Sequence, residues 1–344
     1  MGLRELTELC GVSGAEQQVR AAITQLAQPL CDELLTDSLG NLIAVKGAHK
    51  PGPRVMLAAH MDEVGFIICG FHDSGLLQFK TVGGIDNKVL LGKHVWVGDQ
   101  KLPGVIGSKP IHLLKSEERK RVPSVDQLFI DIGAADKKSA AAQVALGDYA
   151  TFATNYCEFG AGLAKAKALD DRVGCQVLLD ILALELPFPL YAAFTVQEEL
   201  GLRGAQVAAY RIDPQLALVL EGTTCADVPD SLEHKESTLL GSGPAISIMD
   251  RTSIAHKPLR EYLMATAQTH GIPYQVKRVV AGGNDAGVIH LSRGGVPTAT
   301  ISVPCRYIHS PASVASLSDI AATTELVTAA LQDLPERGET LWSI

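Results

Sequence analysis

Residues 54–59 form a nearly unbroken apolar run that stops at His60-Met61-Asp62. In a strand, successive side chains point to opposite faces, so a run this apolar cannot lie on a sheet with one wet face. It suits the centre of a sheet covered by helices on both sides. The pattern returns at 190–196, which ends in Gln197-Glu198-Glu199, and at 216–220, which ends in Glu221. A fourth run, 298–303, is soon followed by Tyr307-Ile308-His309. Helical spacing lies between and around these runs, over 172–184, 202–210, 258–269 and 318–331. Pro187 and Gly271 mark two of the helix ends. Two helices over 3–9 and 16–26 and a hairpin-like pair at 33–36 and 42–45 open the chain, and strands at 245–249 and 274–279 complete it. This alternation predicts an α/β fold, a three-layer αβα sandwich around a mixed, largely parallel sheet.

From 67 to 163 the texture changes. Short, glycine-rich strand signals appear at 76–80, 93–97, 104–106, 128–132 and 149–152, with one helical signal at 137–146. They predict a mainly β unit, residues 67–163, inserted into an α/β domain made of residues 1–66 and 164–344. A chain of 344 residues can bury two such cores.

Composition narrows the partners. The net charge of -8 disfavours nucleic acid and anionic membranes. No apolar run reaches the ~20 residues needed to span a bilayer. The acidic, amphipathic start lacks the features of a secretory signal. The seven cysteines are never in Cys-x-x-Cys spacing, which reads as reduced, mostly buried thiols. The expectation is a cytoplasmic protein that binds neither nucleic acid nor membrane.

In open α/β sheets, function gathers at the carboxyl ends of the strands. Here those ends carry His60, Glu198, Glu199, Glu221 and His309, with Asp170-Asp171 just before the helix at 172. Imidazoles with carboxylates and no cysteine suit Zn²⁺, Co²⁺ or Mn²⁺. So many carboxylates repel one another unless cations balance them. Asp170 can offer one oxygen to each of two ions. Neighbours at a strand end point apart, so of Glu198 and Glu199 one can bind metal while the other handles a proton. Each residue also has an ordinary reading: Asp170-Asp171 as a helix N-cap, Glu221 as a loop residue, a lone histidine as a structural one. Their convergence on one sheet edge outweighs those readings. Of the other histidines, His49, His72, His94, His234, His256, His270 and His290 show no ligand spacing, while His112 is ambiguous and fits a role in folding or subunit contact.

Six ordered segments carry a resemblance that runs from end to end. They are Ala59-His60-Met61-Asp62-Glu63-Val64-Gly65-Phe66, Leu169-Asp170-Asp171-Arg172-Val173-Gly174, Val196-Gln197-Glu198-Glu199-Leu200-Gly201, the stretch from Leu220-Glu221-Gly222 to Asp227-Val228-Pro229, Gly283-Asn284-Asp285-Ala286-Gly287 and Arg306-Tyr307-Ile308-His309-Ser310-Pro311. The chain thereby resembles the dinuclear-metal tetrahedral (TET) aminopeptidases, the glutamyl aminopeptidase family. The resemblance implies two divalent ions per subunit, zinc or cobalt foremost. It implies His60 and Glu221 as ligands of the first ion, Asp170 as the bridge, and Glu199 and His309 as ligands of the second. The family commonly has Asp where Glu221 stands, and Asp227 competes for that role. Asp62 resembles the carboxylate that holds the His60 imidazole, and a cis peptide is implied before Asp171. Asp285 is implied to support the site, in a motif where Asn284 replaces the commoner Thr.

The implied reaction is hydrolysis of the N-terminal residue from peptides with a free N-terminus. A hydroxide bridging the two metals attacks, and Glu198 serves as general base. The inserted β unit corresponds to the family's dimerisation domain, which implies a homo-oligomer of dimers up to a dodecamer. Two other readings share the residues: a deacylase or carboxypeptidase of the same clan, and a catalytically silent assembly protein on this scaffold. A basic residue at the substrate pocket, such as Arg251 or Arg306, would favour acidic N-terminal residues; an apolar wall would favour Leu or Met.

Overall fold

The computed structural model describes residues 2–229 and 237–341, so His234 lies outside the described residues. The expected three-layer sandwich is present, built on one mixed sheet of 11 strands. At its centre run parallel strands in the spatial order Leu190–Thr195, Val55–His60, Leu216–Thr224, Thr298–Arg306. Every residue of Val55–His60 is buried, because helices cover both faces. One face packs Leu57, Leu220 and Ile301 against the helices Leu169–Leu182, Lys257–His270 and Leu317–Asp333. The other face sets Met56, Ala58, Ala193 and Val219 against the helix Arg203–Ile212 and the short turn of helix Ala286–Ile289. Arg203–Ile212 turns Ala205, Ala208, Ala209 and Ile212 inward, at the three-and-four spacing of a helix buried along one stripe. Each fully buried Leu or Met of the central strands contributes about 1.5–3 kcal/mol.

Antiparallel strands flank this centre. Glu33–Thr36 and Leu42–Lys46 form the predicted hairpin on one side. Ser313–Ser316, Leu163–Ala166 and Cys157–Phe159 extend the sheet on the other. These last three escape apolar patterning because they are short and partly polar; pairing with neighbours holds them. Ala245–Ser247 pairs antiparallel with Thr298–Arg306 and carries Gln275–Lys277 beside it. The helix foreseen over 137–146 spans only Lys137–Ala141, and the strand foreseen over 245–249 ends at Ser247. Lys257–His270 closes at Gly271 in the left-handed conformation, as the sequence predicts.

A second body interrupts the sandwich. Strands Gly65–Phe71, Leu77–Val82, Leu128–Asp131, Leu102–Ser108, His94–Val97 and Tyr149–Phe152 close in that order into a barrel. Phe66 sits at its centre, meeting Phe79 and Phe152 edge to face at 5.2 and 5.1 Å. The barrel borders the carboxyl edge of the large sheet: a Cβ on Gly83 would stand 3.3 Å from the Cβ of Glu199, and one on Gly84 would stand 3.6 Å from Nδ1 of His309. Among the described residues, no helix is long and apolar enough to cross a membrane.

Candidate metal centre

His60, Asp62, Asp170, Glu198, Glu199, Glu221 and His309 meet at the carboxyl edge of the central strands. His60 ends the strand Val55–His60, and Glu198 and Glu199 follow Leu190–Thr195. Glu221 lies within Leu216–Thr224, and His309 follows Thr298–Arg306. Asp170 arrives from the far side of the sheet. It and Asp171 depart from helical geometry ahead of the helix proper, and the peptide between them is cis. Gly222 makes room for it, since a Cβ there would stand 3.1 Å from Cα, Cβ and Oδ1 of Asp170.

Asp170 stands between the two imidazoles. Its Oδ1 is 3.3 Å from Nε2 of His60, and its Oδ2 is 3.4 Å from Nε2 of His309. Glu221 Oε1 lies 3.2 Å from the same His60 nitrogen, and Glu199 Oε1 lies 3.1 Å from that of His309. Glu198 Oε2 is farther from His60 Nε2, at 3.9 Å. Donor atoms cluster in three overlapping groups that could each hold an ion: His60, Glu198 and Glu199; His60, Asp171 and Glu221; Asp170, Glu199 and His309. Asp171 is already engaged, accepting from the amides of His60 and Gly174 at 3.1 and 3.0 Å. Asp227 stands apart in a two-pronged pair with Arg306 at 2.7 and 2.8 Å, and belongs to none of the three groups.

The donor set fits divalent cations. Oε2 of Glu221 is buried with no hydrogen-bond partner, which a buried carboxylate rarely tolerates. The electrostatics agree. Burial opposes charge on His309, yet Asp170 and Glu199 push its pKa up to about 11. Burial likewise opposes charge on His60, but Glu221, Asp170 and Asp62 raise it well above the ordinary imidazole value. Burial would lift Asp170, but the two imidazoles hold its carboxyl far below the usual range. Burial pushes Glu221 up to about 8 against the pull of His60, and raises Glu198 well above its ordinary value. Protonated imidazoles occupy the electrostatic place that metal ions would take.

A buried scaffold holds this edge. Asp62 is fully buried and accepts from Ser13 Oγ at 2.6 Å and from the amides of Glu198 and Glu199 at 3.0 and 3.1 Å. The His60 ring turns Nδ1 toward the backbone carbonyl of Asp62 at 3.1 Å; the Asp62 carboxylate is 3.5 Å away. The carboxylate therefore orients the Glu198-Glu199 backbone at least as directly as it orients the imidazole. Glu16 accepts from the amides of Gly14 and Gln197 at 2.7 and 3.2 Å. Lys167 donates to both oxygens of Glu63 and to the carbonyl of Leu9. Asp285 accepts from Thr195 at 2.6 Å and belongs to no ligand group. Ala168, Gln197, Tyr307 and His309 all take left-handed backbone conformations with φ of 51–59°. Such conformations cost about 1–3 kcal/mol each in non-glycine residues and persist only where the surroundings enforce them. Sequence reasoning missed Ser13, Glu16, Lys167 and Thr195; the Gly11-Val12-Ser13-Gly14 turn carries no local sign that it reaches the site.

A family model described as M42 glutamyl aminopeptidase matches residues 40–326. The chain belongs to that family. Its members are aminopeptidases, hydrolases that remove N-terminal residues from peptides. A putative aminopeptidase of Acetivibrio thermocellus is 39% identical over 331 residues, 96% of this chain and 97% of its own. A TET aminopeptidase from a marine sediment archaeon of the Thaumarchaeota superposes with a TM-score of 0.94 at 37% identity, covering 96% of this chain and 95% of its own. The Pyrococcus horikoshii TET1 peptidase, which can assemble into a tetrahedron or a large octahedral shell, superposes at 0.87 with 34% identity, covering 96% and 98%. A lysyl aminopeptidase of Pyrococcus furiosus and a glutamyl aminopeptidase of Lactococcus lactis are each 31% identical over 96% of this chain, covering 96% and 95% of their own. Members of the family thus differ in the N-terminal residue they are named for.

Proposed function

We propose that this aminopeptidase works with two divalent metal ions and uses Glu198 as its general base. The observation that carries the reading is Asp170, with one carboxylate oxygen turned to each imidazole. His60 and Glu221 would hold one ion, Glu199 and His309 the other, and Asp170 both. Ions held there would supply Lewis acidity, lowering the pKa of a bound water and polarising the scissile carbonyl.

The remaining work falls to this chain. Glu198 is buried beside the cluster, and its Oε2 stands 3.9 Å from Nε2 of His60, beyond hydrogen-bond reach and farther than Asp170 or Glu221, which leaves it free to take a proton from the attacking water and deliver it to the leaving amine. Asp62 holds the backbone of Glu198 and Glu199, so base and ligand stay in register. The imidazole-carboxylate donor set suits zinc, cobalt or manganese. The inserted unit, foreseen at 67–163 but with barrel strands running from Gly65 to Phe152 while Cys157–Phe159 and Leu163–Ala166 join the large sheet, serves as a dimerisation domain within the catalytic domain, and the dimers build a larger homo-oligomer. Seven free cysteines suit the reducing cytoplasm.

Two substitutions test the assignment together. Glu198→Gln should keep its metal and lose about 10²–10⁴-fold in turnover, whereas Asp170→Asn should lose metal. Metal content by mass spectrometry and hydrolysis of aminoacyl anilides read out both. Full activity in the metal-loaded Gln variant, or two tightly held ions in the Asn variant, contradicts these roles.

A further inference from the structure

Two fully buried cations, Lys167 and Arg172, bracket the segment that carries Asp170. Between them Ala168 takes a left-handed backbone with φ of 51°, and Asp170 and Asp171 depart from helical geometry. Both cations reach the residues on either side of Asp62. Lys167 Nζ donates to Oε1 and Oε2 of Glu63 at 2.6 and 2.9 Å, and Arg172 Nε donates to the carbonyl of Met61 at 2.9 Å. Both also hold the start of the chain, Lys167 through the carbonyl of Leu9 and Arg172 through that of Leu6, each at 2.6 Å. Glu63 closes this clamp: its Oε1 accepts from the Gly11 amide at 3.1 Å and faces Nη2 of Arg172 at 3.6 Å. One carboxylate thus joins the turn that supplies Ser13, the link that supplies Asp62 and the stretch that supplies Asp170.

The clamp lies on one side of the cluster. The small cavity beside Asp170, Glu199 and His309 is lined as well by Glu63, Lys167 and Ala168, whereas His60 and Glu221 stand outside it. His60 and Glu221 are set by strand pairing, to Thr195 and to Ser302. Asp170 and His309 lie outside the strands, so their positions depend on other contacts. The clamp's charges do not cancel, because two cations surround one carboxylate. Its net positive charge opposes a metal ion in the neighbouring half-site. What the clamp gives that half-site is therefore placement, not attraction.

We propose that Lys167, Glu63 and Arg172 are positioning residues for the second ion. By fixing the Asp170 segment against the link 61–63, they set how tightly Asp170, Glu199 and His309 close on a cation, and they leave the His60–Glu221 half to the central strands. The proposal rests on the two-ion reading above. Groups that hold metal ligands from behind are worth about 10–100-fold in metal affinity.

Stepwise zinc titration of metal-free protein against a chromophoric chelator reads the two affinities separately, without turnover. Lys167→Met, Glu63→Gln and the double variant Lys167→Met/Glu63→Gln should each weaken the second ion by about 10–100-fold and hold the first close to wild type. The sign separates placement from field. Through charge alone, Lys167→Met would tighten the second ion, Glu63→Gln would weaken it, and the double variant, which keeps the net charge, would do neither. The double variant also guards against unfolding, because the main cost of breaking a buried ion pair is the single charge left behind. Hydrogen exchange on wild type needs no substitution. Because Gly11 donates to Glu63, filling the second site should slow exchange at residues 9–13 more than filling the first. A double variant that holds both ions as wild type does, a tighter second ion in Lys167→Met, equal losses at both ions, or unchanged exchange at 9–13 overturns the proposal. Wild-type protein that binds fewer than two ions would instead remove the two-ion reading, and the proposal with it.

Discussion

Replacing Asp62 with Asn separates its charge from its shape. The carboxylate is fully buried, and both oxygens are in use: Oδ1 accepts from the Glu198 amide, and Oδ2 from the Glu199 amide and Ser13. An amide side chain keeps only one oxygen. Whichever way it turns, its NH₂ faces one of the two backbone N–H groups, and that donor loses its acceptor. An unmet buried donor costs about 1–3 kcal/mol, and hydrogen bonds to a charged group are worth about 1 kcal/mol more than neutral ones, so the folded state should lose about 3 kcal/mol. The orphaned amide belongs to the proposed base or to a proposed metal ligand. The same change should therefore cost about 10–100-fold in metal affinity or turnover. Urea unfolding in chelator measures the first quantity; competition with a metal-sensitive dye and steady-state kinetics measure the second. Acid should narrow the stability gap. Burial works against the Asp62 charge, but His60, Ser13 and the Glu198 amide hold its carboxyl below the ordinary value. A carboxyl lowered in the folded state stabilises above its unfolded pKa, and that contribution is lost as pH falls through the folded one. An Asn variant matching wild type in neutral-pH stability, metal affinity and turnover would refute the reasoning.

Two further outcomes follow from the same geometry. Because His60 and His309 titrate above the ordinary imidazole value while a ligating imidazole must be neutral, metal uptake should release protons and weaken as pH falls; binding heats identical in two buffers of different ionisation enthalpy would contradict this. Gly222→Ala would set a methyl 3.1 Å from Asp170, an overpacking that should cost about 1–3 kcal/mol and loosen metal retention after dialysis; unchanged retention would mean Asp170 has room to yield.

Much of the site was legible because its residues follow apolar runs. His60, Glu198 and Glu221 announce themselves where a buried strand turns polar, and their convergence on one sheet edge outweighs the ordinary reading each has alone. Ser13 was not legible: it pairs with Asp62 across 49 residues, from a turn of ordinary composition. Arg306, a plausible source of positive charge in the sequence, is held by Asp227.

Sequence by itself determined the layered α/β architecture, the interruption by a β-rich segment and the identity of the residues at the strand ends. Those are local matters: periodicity, turn residues and side-chain chemistry are written within a few positions of each other. Only the tertiary structure decided that Asp170 turns one oxygen to each imidazole and that Asp62 gathers both glutamate amides. Each depends on register and on contacts between segments far apart in the chain, and packing of the whole molecule sets them.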